Sequence, residues 1–270
     1  MNILKLLDRL SDDKFFTKEA SRLETISSLG NFGKKAAVAA IPLGLGALMT
    51  TPVQAGTTNA STAFAFKSTL SDALQLALTL EYLEDEYYRM GLGTANLIPA
   101  ADRAVFLQIS KHETAHVAFL KSALSSLGET PAAKPNFDFT AGGNFAPFSD
   151  YQQFMTLAQA FEDTGVRAYK GQAGNVMSNK DVLTAALQIH SVEARHASQV
   201  RRMRNNKGWI ELNDGGNMPP ATNPVYAGEQ NVVQAGFNTS TAFGAAAGSA
   251  AFDEVLSGSD AAAVAGLFIA

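Results

Sequence analysis

Between residues 67 and 208 apolar side chains recur every three to four positions in four long blocks, the period of a helix face turned toward a core. The first block runs from Ser68 or Ser71 to Met90 and sets Leu74, Ala77, Glu81, Glu84 and Tyr88 on one face, with Gly91-Leu92-Gly93 expected to stop it. The second, from about Asp102 to Leu127, aligns Phe106, Ile109, Glu113, His116, Val117 and Leu120 and closes at Gly128. Ser149, with Gln152 three positions on, reads as the capping box of a third helix whose face is Met155, Ala158, Glu162, Val166 and Tyr169. Ser178 with Asp181 opens a fourth, with Ala186, Ile189, Glu193, His196 and Val200 aligned. No strand-like alternation of similar length competes with these blocks.

Connection lengths limit the topology. Short segments join the first helix to the second and the third to the fourth, so each pair is expected to form an antiparallel hairpin. Between the pairs lies Gly128 to Phe148, rich in Pro, Gly, Asn and Phe, and long enough when extended to run the length of a helix. The reading is therefore all-α: two hairpins joined by one long crossover over residues 67–208. An amphipathic region precedes them at 1–35, an apolar segment at 36–66, and an extension follows at 209–270.

Composition narrows the chemistry. The chain has 21 Lys+Arg against 25 Asp+Glu, a net charge of −4, and no dense basic stripe, so no nucleic-acid partner is expected. With no cysteine, disulfides, thiolate nucleophiles, iron–sulfur clusters and cysteine-based zinc sites are all excluded. Charge is absent from Ala36 to Phe66 and from Asn231 to Phe252. Lys34-Lys35, the apolar run Ala36 to Met49 and the small residues around Val53-Gln54-Ala55 together resemble an export signal, which implies a periplasmic or envelope location with association through the N-terminus. The run is too short to span a bilayer of roughly 30 Å. The alternative is a hairpin packed in the mature protein, which leaves a cytoplasmic location open. From Gln234 to Ala251 the Ala-, Gly- and Ser-rich tail reads as loop or surface wrapping.

The four histidines sit in two short windows, His112 and His116, then His190 and His196. A glutamate on an apolar helix face is costly unless it finds a cation, and here every helix carries one. Glu81 precedes Glu113-x-x-His116 by nearly the spacing at which Glu162 precedes Glu193-x-x-His196, and Tyr88 and Tyr169 each lie two turns beyond the lone glutamate. Glu and His at i and i+3 project from one side of a helix. Four carboxylates and two imidazoles suit two divalent cations about 3.5–4 Å apart, with charges that balance. Oxygen and imidazole donors without thiolate point to iron or manganese.

The segments LEYLEDEYY (80–88), HETAH (112–116), FEDTGVRAY (161–169) and HSVEARH (190–196) resemble the ligand segments of the ferritin-like di-metal carboxylate superfamily. More narrowly, the chain is similar to exported bacterial ferritin-like domain proteins related to desiccation-associated proteins, a likeness that extends through YAGEQN (226–231) and AFDEVLSGSDAAAVAGLFIA (251–270). The resemblance implies a ferritin-like four-helix bundle with metal ligands at Glu81, Glu113, His116, Glu162, Glu193 and His196. It implies an oxidoreductase that acts on dioxygen or hydrogen peroxide, ferroxidase or catalase-like, in stress protection, and a homo-oligomer. Where members of that group carry a twin-arginine signal, this chain has only Ser21-Arg22-Leu23 and Lys34-Lys35.

Other readings stand beside this one. HETAH is also the HExxH string of zinc metalloproteases, which leaves Glu193-x-x-His196 and both lone glutamates without a role. Glu84, one turn past Glu81, is an alternative ligand, and Asp85, Glu86 and Asp163 are expected to be solvated. The cluster Arg201, Arg202, Arg204 and Lys207 is explained by the dipole at the end of the fourth helix. His112 and His190 are neighbours of the ligand face, and Tyr88 and Tyr169 are core residues within reach of the ligands. The competing function is a structural or assembly protein of the cell envelope, motivated by the long N-terminal zone and the charge-free tail.

Overall fold

The computed structural model describes residues 69–270. The amphipathic region 1–35 and the apolar segment 36–66, with its export-like features, lie outside the described residues. Four long helices dominate: α1 (Leu70–Gly93), α2 (Ala100–Ser126), α3 (Tyr151–Val176) and α4 (Lys180–Met203). Pairing α1 with α2 and α3 with α4, with α1 laid against α3 and little contact between α2 and α4, gives the expected four-helix bundle with a long crossover.

The helix starts follow local chemistry, one residue away from two of the expected positions. Asp150, not Ser149, caps α3, its carboxylate accepting the N–H groups of Gln152 (2.8 Å) and Gln153 (3.2 Å). Ser149 instead turns its hydroxyl back to the Ala146 carbonyl. Asn179, not Ser178, caps α4 by accepting from Asp181 and Val182. In both cases two neighbouring residues have capping side chains, and the second of them takes the position. Gly91 does not stop α1, which continues to Gly93. A Cβ at Gly91 would lie 2.3 Å from the Phe154 ring, so this glycine serves close helix packing rather than termination.

Tyr87, Phe106, Phe154 and Phe161 fill one end of the bundle, joined by Phe139 from the crossover and Phe268 from the C-terminus. Leu74, Leu78, Leu120 and Leu124 fill the other end. The glutamates described below lie between these two apolar clusters.

The extension is part of the fold. It comprises a turn at Pro220–Thr222, α5 (Asn223–Tyr226), the hairpin β1 (Val233–Gln234) and β2 (Phe237–Asn238), α6 (Ser240–Ala250) and α7 (Gly258–Gly266). The stretch expected to be loop thus contains a hairpin and an alanine-rich helix bent at Gly244, where φ is 85°. α7 packs on α1 and α3, and Phe137 of the crossover bridges antiparallel to Ile269.

Covered in this way, α3 is buried without a break from Leu157 to Tyr169, polar residues included. Asp163, expected in solvent, is buried against Arg201 at 2.6 Å and accepts from the Tyr226 hydroxyl at 2.8 Å. Arg201 and Arg204 are accordingly not dipole partners at an open helix end: the first pairs with Asp163 and the second donates to Gln159. Arg167 is fully buried, ion-paired to Glu229 at 2.8 Å and donating to the carbonyls of Val225, Ala227, Glu254 and Val255. No helix among the described residues is long and apolar enough to cross a membrane.

Candidate metal centre

Each helix of the bundle delivers one glutamate to the same layer: Glu81 from α1, Glu113 from α2, Glu162 from α3 and Glu193 from α4, all with zero exposure. The i, i+3 spacing on α2 and α4 adds His116 and His196. All six expected ligands are brought together, in two groups: Glu81, Glu113, Glu193 and His116, and Glu113, Glu162, Glu193 and His196. Within each group one donor atom per residue lies within 4.8 Å of every other.

Glu113 and Glu193 belong to both groups because each turns one oxygen to each. His116 Nδ1 lies 3.0 Å from Glu113 Oε2, 3.1 Å from Glu193 Oε1 and 3.2 Å from Glu81 Oε2. His196 Nδ1 lies 3.0 Å from Glu113 Oε1, 3.1 Å from Glu162 Oε2 and 3.4 Å from Glu193 Oε2. The shared pair faces both groups, and Glu81 and Glu162 each face one.

Hydrogen bonding alone does not explain this packing. One Nδ1 carries at most one proton and cannot serve three oxygens, and Glu113 Oε1 and both Glu193 oxygens are buried with no hydrogen-bond partner. Such atoms cost free energy unless a cation collects them. Each histidine Nδ1 has three carboxylate oxygens 3.0–3.4 Å away, a set of donors that one cation could gather. The residues fit two divalent cations, and the donor set of oxygens with one imidazole per side suits hard or borderline metals.

The outer oxygens are also held. The Tyr169 hydroxyl donates to Glu81 Oε1 and the Tyr88 hydroxyl to Glu162 Oε1, both at 2.5 Å. Helix α3 thus holds the terminal glutamate of α1, and α1 that of α3. Burial, reinforced by the neighbouring carboxylates, pushes both phenols well above their usual range, so they remain donors.

Glu81 lies within one donor group, and Glu84, the alternative ligand, lies outside both. It is buried beside Gly165, where a Cβ would approach Glu84 Oε1 to 3.3 Å. Burial, then the charges of Glu193, Glu162, Glu81 and Glu113, push its carboxyl well above the usual range. Neither Glu84's burial against the cluster nor Gly165's clearance is visible in a helical repeat.

His112 and His116 do not share a donor group, as an HExxH zinc site requires. His112 Nδ1 meets His196 Nε2 at 2.9 Å, and His190 Nδ1 donates to the Val166 carbonyl at 2.9 Å. Asp85 accepts from Thr114, and Glu86 pairs with Arg89 and Lys134.

A family model described as a ferritin-like domain matches residues 69–206, just over half of the chain and all four long helices. No curated protein matches the chain.

Proposed function

The chain belongs to the ferritin-like domain family, and from that premise we propose that it is a di-iron or di-manganese carboxylate protein, an oxidoreductase that acts on dioxygen or hydrogen peroxide. Its reaction is the oxidation of Fe(II) or the dismutation of peroxide, in protection against oxidative stress. The observation that carries this reading is the sharing of Glu113 and Glu193 between two donor groups, each completed by its own glutamate and histidine.

When bound, two redox-active cations supply Lewis acidity and one-electron steps at a single centre. The protein's part is to hold them. Glu113 and Glu193 would bridge, Glu81 and His116 would complete one position, and Glu162 and His196 the other. Tyr88 and Tyr169 fix the terminal carboxylates, so that each offers its remaining oxygen inward. The apolar clusters on either side exclude bulk water, which strengthens every charge interaction within the layer. Glu84 lies buried beside the glutamate cluster, where burial and the neighbouring carboxylates raise its carboxyl well above the usual range. Solvent contact is confined to the α2–α4 side, where the His116 side chain is 12% accessible and that of His196 6%.

Metal analysis of purified protein reconstituted with Fe(II) or Mn(II), followed by oxygen-uptake and peroxide-consumption assays, tests the proposal. Protein that stays metal-free after reconstitution contradicts it.

A second reading, a structural or assembly role in the cell envelope, is favoured by one observation. Phe237 and Phe243 are 70% and 87% exposed within a stretch that carries no charge. It goes with export directed by residues 36–66 and with a homo-oligomeric state. Mass spectrometry of the mature N-terminus tests export, and light scattering of wild type against Phe243→Ser tests self-association.

A further inference from the structure

The two histidines of the centre are matched in their Nδ1 contacts and unmatched in everything behind them. His196 Nε2 lies 2.9 Å from His112 Nδ1, the two rings are within 11° of parallel, and His112 Nε2 lies 2.7 Å from the side-chain amide of Gln108. His112 and Gln108 are on α2 and His196 is on α4, so this chain of contacts crosses the seam where those helices otherwise touch little. His116 Nε2 has no hydrogen-bond partner among the described residues. The histidine of the second window does not restore symmetry, because His190 is spent on the Val166 carbonyl.

We propose that His112 is a positioning residue that makes the two metal positions unequal: the one completed by Glu162 and His196 is the tighter, and the one completed by Glu81 and His116 is the more readily exchanged. This rests on the metal-centre reading above. An imidazole that gives its Nδ1 lone pair to a cation carries its proton on Nε2, and that N–H needs an acceptor. His112 Nδ1 is in place to accept it. His112 then carries its own proton on Nε2 and donates to Gln108, whose exposed amide can present its oxygen by turning over. The result is one ring fixed in tautomer and orientation, while the His116 ring is held only by its packing and by solvent. Partners behind a metal-bound histidine typically contribute about 10–100-fold in affinity. The side chain less shielded from solvent is also that of His116.

The test is an equilibrium titration of Mn(II) into chelator-stripped, full-length protein, with free ion followed by its electron paramagnetic resonance. Wild type is expected to show two classes of site. His112→Phe, which keeps an aromatic ring there but cannot accept, should weaken the tighter class about 10–100-fold and leave the weaker unchanged. His112→Gln, whose carbonyl oxygen can accept from His196 Nε2, should restore most of the difference. Equal classes in wild type, or a His112→Phe variant that weakens both alike or neither, overturns the inference while leaving a di-metal centre standing. Wild type that binds no Mn(II) or Fe(II) removes the metal-centre reading and this inference with it. If His112→Phe does not fold, Gln108→Ala at its exposed position decides: the ratio of the two affinities must narrow, and an unchanged ratio counts against the proposal.

Discussion

The Tyr88 hydroxyl on α1 donates at 2.5 Å to Oε1 of Glu162 on α3, and Tyr169 on α3 returns the same bond to Glu81 on α1. These two bonds tie the hairpins together through the layer that carries the charge. A buried hydrogen bond to a carboxylate contributes about 1.5–3 kcal/mol. Tyr88→Phe and Tyr169→Phe should each destabilise the chelator-treated protein by about that amount in urea unfolding. Similar losses for the two variants are expected from the matched geometry; a loss in one alone would show that the halves are not mechanically equivalent.

Burial, then the charges of four neighbouring carboxylates, raise the Glu84 carboxyl well above its usual range. Glu84→Gln keeps the shape and puts a neutral amide where burial disfavours a charge, so unfolding free energy at pH 7 should change by less than about 1 kcal/mol. Metal stoichiometry should not change. Loss of one ion in Glu84→Gln would place this residue among the ligands.

Burial opposes a charge on His116, but the carboxylates of Glu113, Glu193 and Glu81 close to its Nδ1 outweigh it and push its imidazole up to about 12. His196 is raised as well, chiefly by Glu162 against the cost of burial, and burial pushes Glu162 up to about 7. For His116 the folded value exceeds the ordinary 6.5, so its contribution to the stability of chelator-treated protein is full below that pH and is lost as pH rises through about 12. Metal binding runs the other way, because the cation must displace these protons. Mn(II) affinity should rise with pH by up to about tenfold per unit for each proton displaced. Calorimetry in buffers of different ionisation enthalpy should register proton release on binding; no release would contradict the protonation assigned to the histidines.

The bundle and its ligand layer were legible in the sequence because Glu81, Glu113, Glu162 and Glu193 fall in phase with apolar faces, and a repeated spacing is a local property. What covers α3 was not. Asp163, Gln159 and Arg167 occupy the face that periodicity assigns to solvent, and their partners, Arg201, Tyr226, Gly215 and Glu229, lie far along the chain. A polar residue satisfied by a distant partner carries no mark in its own helix. His112 was legible as a neighbour of the ligand face but its partner was not: one position off that face, it turns toward His196 on α4, a direction set by how the hairpins pack.

Arg167 makes this concealed contact testable. Arg167→Met leaves the Glu229 carboxylate buried without its partner and four carbonyls without a donor, a loss of about 3–5 kcal/mol. Limited proteolysis should then release the segment after Met203, and adding Glu229→Gln should recover part of the stability. A variant as resistant as wild type would mean that the extension is held elsewhere.

The most direct test of the central claim is the number of metal ions bound per chain in single-glutamate variants, read by elemental analysis after reconstitution with Fe(II) or Mn(II). If Glu113 and Glu193 bridge two positions, wild type binds two ions, Glu81→Ala and Glu162→Ala each keep one, and Glu113→Ala and Glu193→Ala keep neither at full occupancy. Equal losses in all four variants, or a wild type that binds one ion or none, would contradict the shared-glutamate centre.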